Sequence, residues 1–103
     1  MHGAGVCRVN DIEPSRVGRF EVTAQDPDSR ARCGLLYTVH GAVETPLFLP
    51  VGTYGAVRSI AAWELEGMGF QMLLANTYHL ALRPGVEVIE EHGGLHRFMG
   101  WER

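Results

Sequence analysis

The chain has no lysine; all nine basic residues are arginine. We read this as codon bias rather than as selection for planar, phosphate-binding forks. Net charge is −3, so the general electrostatic footprint of a nucleic-acid-binding protein is missing, and no DNA partner is expected. Long apolar runs are missing too. None approaches the ~20 residues of a membrane span, so no membrane partner is expected. Residues 1–19 lack the apolar core that a signal peptide needs. Cysteine is scarce. With only Cys7 and Cys33, we expect a cytoplasmic location and two free thiols. There is no G-x-G-x-x-G, no Walker pattern and no Gly-x-Ser-x-Gly. Dinucleotide, nucleoside triphosphate and serine-hydrolase chemistry are therefore unsupported.

What is present is ordinary globular composition, with 46% apolar residues over 103 positions. The chain is organised around Thr45-Pro-Leu-Phe-Leu-Pro-Val-Gly-Thr-Tyr-Gly55. An apolar run interrupted only by Pro50 and followed by Gly52 and Gly55 predicts a buried strand that ends in a functional loop. A second such run, residues 70–75, ends in Asn76-Thr-Tyr-His79. Upstream, Phe20–Ala24 alternates like a strand. Asp26-Pro-Asp-Ser29 is a turn cluster, and His40-Gly41 between two β-rich runs predicts a hairpin. Residues 57–68 predict a helix built on Ile60, Trp63, Leu65 and Met68. It lacks a clean cap, because Ala61-Ala62 stand where Ser, Thr or Asp and a first-turn proline are expected. Gly69 marks its stop. A short helical turn is expected at 77–83, a helix from Pro84 to His92 and another at Leu95–Met99. Residues 1–19 read as a poorly ordered extension.

This order, a hairpin followed by β, α, β, α, α, opens a parallel α/β protein. Two parallel strands leave unpaired edges, and a (β/α)8 barrel needs roughly 250 residues. On this pattern the sequence is expected to be the front of something longer.

Most candidate chemistry reads as structure. His92 and His96 are four apart, but Gly93-Gly94 breaks the helix between them, and two surface histidines is the expectation. Glu64, Glu66, Glu87, Glu90 and Glu91 read as solvated helix faces. The turn Asn76-Thr77-Tyr78-His79 is the best candidate. It offers a donor and acceptor, a hydroxyl and a titratable ring, suited to hydroxyl or phosphate recognition. The other reading is a local network that satisfies backbone groups at a strand-to-helix turn. Both stay open on the residues alone.

Four blocks resemble bacterial tRNA-guanine transglycosylases, the queuine tRNA-ribosyltransferase family, in order and spacing. They are Glu44-Thr-Pro-Leu-Phe-Leu-Pro-Val-Gly-Thr-Tyr-Gly55, Leu74-Ala-Asn-Thr-Tyr-His-Leu80, Leu82-Arg-Pro-Gly85 and Gly94-Leu-His-Arg-Phe-Met-Gly-Trp101. The likeness runs from about Phe20 to the end and is closer to the queuosine branch than to the archaeosine branch. It implies a (β/α)8 TIM-type barrel of which residues 20–103 would be the first two βα units behind an antiparallel hairpin. It implies a homodimeric, zinc-containing enzyme. That enzyme would exchange guanine at the wobble position of tRNA for a 7-deazaguanine base, queuine or preQ1, in queuosine biosynthesis. One aspartate would attack the ribose C1′ and a second would move a proton.

Residue by residue, the resemblance carries over supporting structure. Val51 and Leu74 match positions lining the pocket of the target nucleotide's ribose. Asn76 matches a polar position beside it, with Thr77 and His79 in the same motif. Gly52, Thr53, Tyr54, Gly55 and Phe98 match regions near the homodimer interface. Ala61-Ala62 departs from the family's Thr-Pro helix start. The family's catalytic aspartates, base-reading residues and zinc ligands have no counterpart; Asp11, Asp26 and Asp28 match no catalytic position. The expectation is therefore a fragment inactive by itself. The alternative is a non-catalytic interaction module that pairs with a full-length relative.

Overall fold

The computed structural model describes residues 12–103. They fall into two compact units, one reaching to Phe48 and the other running Leu49–Arg103. The secondary structure is a three-stranded antiparallel sheet and four short helices.

The sheet belongs to the first unit and has the order β1 (Phe20–Gln25), β2 (Arg32–Thr38), β3 (Gly41–Thr45). The hairpin expected at His40-Gly41 is β2–β3. Thr38 pairs with Gly41, so the two-residue loop is Val39-His40, one position earlier than expected. The Thr38 hydroxyl closes this loop. It donates to the Gly41 carbonyl at 2.9 Å and accepts the His40 N–H at 3.1 Å. Strand β1 forms as the alternation predicts and pairs with β2 through a bulge, where Val22 faces Gly34 and Ala24 faces Cys33. Thr23 is the extra residue, which bends an edge strand. Tyr37, Ala42 and Val43 are the unit's buried side chains. Cys33 is an exposed free thiol.

The β1–β2 turn is held by one carboxylate. Asp26 accepts the Asp28 N–H at 3.2 Å and the Ser29 hydroxyl at 2.6 Å, and Ser29 in turn accepts the Ala31 N–H. The Ser29 bond first, then the Asp28 bond, holds the Asp26 pKa below the usual carboxylate value.

Of the extension expected at 1–19, residues 1–11 and with them Cys7 lie outside the described residues. Pro14–Arg16 form a single 3-10 turn. Gly18 donates to Tyr37 O at 2.8 Å and Tyr37 donates to Arg19 O at 3.0 Å. The Arg16 guanidinium sits 5.6 Å over the Tyr37 ring, within cation–π range.

The second unit carries α1 (Ala62–Gly67), α2 (Thr77–Leu82), α3 (Val86–Glu91) and α4 (Leu95–Met99). Pro50, Leu65, Leu80 and Trp101 are its buried side chains. The expected helix 57–68 is shortened to α1, and its apolar pattern misleads. Leu65 is buried, whereas Trp63 is 76% exposed and Met68 59% exposed. Ala61 stands at the N-cap with extended backbone and no capping side chain. Glu64, expected as a solvated face, instead reaches back to accept the Ala61 N–H at 3.0 Å, half of a capping box. The stop at Gly69 is a Schellman turn: Gly69 donates to Glu66 O and Phe70 to Leu65 O. Its φ of +92° suits a residue without Cβ. Helices α2 to α4 lie where the caps and glycines predict them, although α3 starts at Val86 rather than at Pro84.

The two buried strands expected at 47–51 and 70–75 do not form. One isolated parallel bridge, Val51 with Leu74, stands in their place. Phe48 is 73% exposed, and Val51 and Leu74 are each 50% exposed. The reason lies in Pro50. The next rung towards the N-terminus would need its N–H to donate to Met72 O, and proline has none. Past the bridge, the chain turns at once through Gly52–Gly55. No helix among the described residues is long and apolar enough to cross a membrane.

Candidate functional site

The bridge sets the geometry of the candidate site. Leu74 N–H donates to Pro50 O at 2.9 Å and Gly52 N–H donates to Leu74 O at 2.7 Å. Bridge partners in adjacent strands point to the same side of a sheet, so Val51 and Leu74 form one apolar step. Each segment then leaves the bridge into a turn. This is the C-terminal end of two parallel segments, where α/β folds place binding groups.

The turn after Leu74 is shaped by Asn76. Its side-chain oxygen accepts the Tyr78 N–H at 3.0 Å and the His79 N–H at 3.4 Å, capping α2. The local network is therefore present. It occupies the carbonyl end of the side chain and leaves the amide NH2 as its outward polar group. Thr77 and Tyr78 are exposed and His79 is half-buried. The His79 ring meets Tyr54 edge-on at 5.8 Å and Tyr78 at 5.7 Å.

The turn after Val51 is closed by Gly55 N–H donating to Gly52 O at 3.2 Å. Both glycines are buried, with half-buried Thr53 and exposed Tyr54 between them. Gly55 has φ +80°, and a Cβ on it would meet Phe98 Cε2 at 2.5 Å; one on Gly52 would meet Met99 Cε at 3.1 Å. Phe98 is thus half-buried against this turn. Its ring also meets His92 edge-on at 5.3 Å.

The structure therefore brings Val51 beside Leu74, Tyr54 to His79, and Phe98 to Gly55. The contacts of Tyr54 with His79 and of His92 with Phe98 join distant residues or different elements, and neither periodicity nor spacing signals such pairs. His92 and His96 are both exposed; a ring N–H of each donates to a backbone oxygen, Val88 O at 2.8 Å and Arg103 O at 3.1 Å. Among the described residues no group of three or more His, Cys, Asp and Glu could hold a metal ion. An open apolar depression of about 360 Å3, lined by Ile12, Pro14, Val17, Thr38 and Val39, lies on the first unit and offers no titratable group.

The chain is a small α/β protein in which a parallel bridge leads into a capped polar turn. Residues 26–103 match the family described as queuine tRNA-ribosyltransferase, and the chain belongs to that family. A queuine tRNA-ribosyltransferase of Thiobacillus denitrificans is 60% identical over 76 residues, covering 74% of this chain and 21% of the relative. That of Dictyoglomus turgidum is 52% identical over 84 residues, covering 82% and 22%. That of Nitrosomonas eutropha is 59% identical over 75 residues, covering 73% and 21%. The chain thus spans about a fifth of the length of the curated relatives it matches.

Proposed function

We propose that this chain is the N-terminal portion of a tRNA-guanine transglycosylase and contributes part of its nucleotide-binding wall. In this reading the parallel bridge opens a (β/α)8 barrel. Val51 and Leu74 give an apolar surface for the target nucleotide's ribose. The Asn76 amide donates to an oxygen of the sugar–phosphate, with Thr77 and His79 beside it. The observation that supports this best is the single parallel bridge, which puts Val51 and Leu74 side by side at the mouth of the Asn76 turn.

The reacting groups lie outside this set. Asp26 is committed to the β1–β2 turn, far along the chain from the candidate wall. The assembled enzyme would exchange guanine for a 7-deazaguanine base in tRNA, act as a homodimer and hold zinc through residues this chain does not supply. The test is base exchange with guanine-containing cognate tRNA and labelled base. We expect no turnover by the chain alone, and recovery when it is co-expressed with a relative that lacks the matching region. Turnover by the isolated chain would sink the reading.

The uncommitted catalytic role also suits a second reading, an interaction module that pairs with a full-length relative. Co-purification with an intact relative, without any effect on a truncated one, would favour it.

A further inference from the structure

We infer that Phe98 and His92 are positioning residues that fix the Gly52–Gly55 turn and, through Tyr54, the His79 ring. The inference gives these side chains a role in the site proposed above, and its functional meaning rests on that reading. Four contacts link them, all within the second unit. The His92 ring is held at the end of α3 by its Nδ1 contact with Val88 O at 2.8 Å. It meets the Phe98 ring edge-on at 5.3 Å and 79°. Phe98 lies so close to Gly55 that a methyl group there would clash with the ring at two atoms, 2.5 and 2.9 Å away. Tyr54, the residue before Gly55, then meets His79 edge-on at 5.8 Å.

This arrangement has a physical purpose. A turn with one closing hydrogen bond of 3.2 Å is weakly fixed by its own backbone. Packing a rigid ring directly on its buried glycine limits where the turn can go. Edge-to-face ring contacts of this kind contribute beyond mere area and are directional. The turn therefore inherits its placement from α3 and α4, elements much later in the chain. The His79 ring meets both Tyr54 and Tyr78 edge-on, so moving the turn reorients the ring next to Asn76. Phe98 thus has an inward contact of its own, whatever lies against its other edge.

The test uses amide and aromatic NMR spectra of the whole 103-residue chain. We expect the wild-type Gly55 amide to show a ring-current displacement from Phe98. His92→Gln and Phe98→Leu should both move the Gly55 amide and the His79 Hε1 resonance, whereas Phe98→Tyr should leave them in place. Val86→Ala, on the exposed start of α3, should move neither. Shifts confined to α3 and α4 would overturn the inference, as would a wild-type Gly55 without ring-current displacement. If Phe98→Leu unfolds the unit, the exposed His92→Gln decides by itself. No RNA enters these spectra, so they judge the contact chain separately from the exchange assay that judges the functional reading.

Discussion

Asn76 works with both ends of one amide. The oxygen caps α2 through the Tyr78 and His79 N–H groups, and in the proposed site the nitrogen is the donor for a ligand. Substitution separates the two. Asn76→Asp keeps a capping oxygen, and its charge suits a helix N-terminus. It also replaces the outward donor with an anion. We expect unchanged hydrogen-exchange protection in α2. In a full-length relative carrying the matching change, we expect KM for tRNA to rise about tenfold, the equivalent of ~1.4 kcal/mol. Asn76→Ala should lose the cap, about 1 kcal/mol, and the donor together. If Asn76→Asp leaves the tRNA KM at the wild-type value, Asn76 is removed from the site. Asp26 makes a prediction of the opposite kind, structural and pH-dependent. Its folded pKa is depressed by the Ser29 and Asp28 bonds. Its contribution is therefore complete above the unfolded carboxyl pKa of ~3.9 and is lost as pH falls through the lower, folded value. The Asp28 and Ala31 amides should lose exchange protection in that acid range, and Asp26→Asn should flatten the dependence. An unchanged profile in Asp26→Asn would show that the carboxylate does not hold the turn.

At the scale of elements, α1 shows how a defect in sequence becomes a defect in structure. Ala61 has the extended backbone of an N-cap but no oxygen to use there. Glu64 supplies the return half of a capping box alone. Ala61→Ser should complete it and stabilise α1 by about 1 kcal/mol. That is roughly fivefold slower exchange of the Leu65 and Met68 amides, unless α1 opens only with the whole unit. Glu64→Ala should act in the reverse direction. The ends of the helices follow from local signals: Ala61 and Gly69 bound α1 and Asn76 caps α2, each acting within a few residues. The β2–β3 hairpin was legible for the same reason, through Gly41. The extended runs were misread because apolarity at 47–51 and 70–75 reports a tendency to be covered, not what covers it. Pro50 removes one rung, and the ladder between the two runs stops at a single bridge. Trp63 and Met68 mislead in the same way. The site was legible as a set of residues around Leu74–His79. The contacts of Tyr54 with His79 and of Phe98 with Gly55 were not, since each depends on tertiary packing between distant segments.

The whole molecule combines two small units, with three and four buried apolar side chains respectively among the described residues. Against this stand large exposed side chains in the second unit, among them Trp63, Tyr78, Leu82 and Val86. Relatives about five times as long contain ample chain to cover them. With so few buried side chains in each, the stability of the units should be low. The probes separate well. Both tryptophans, Trp63 and Trp101, belong to the second unit, while the sheet belongs to the first. In a urea titration, tryptophan emission and the far-ultraviolet signal of the sheet should give different midpoints and shallow slopes. Co-expression with the remainder of a relative should merge them into one transition at higher urea. Coincident, steep transitions in the isolated monomer would mean that the two units already form a self-sufficient domain. That result would favour the interaction module over the enzyme portion, since a piece of an open barrel has no reason to unfold as a single body.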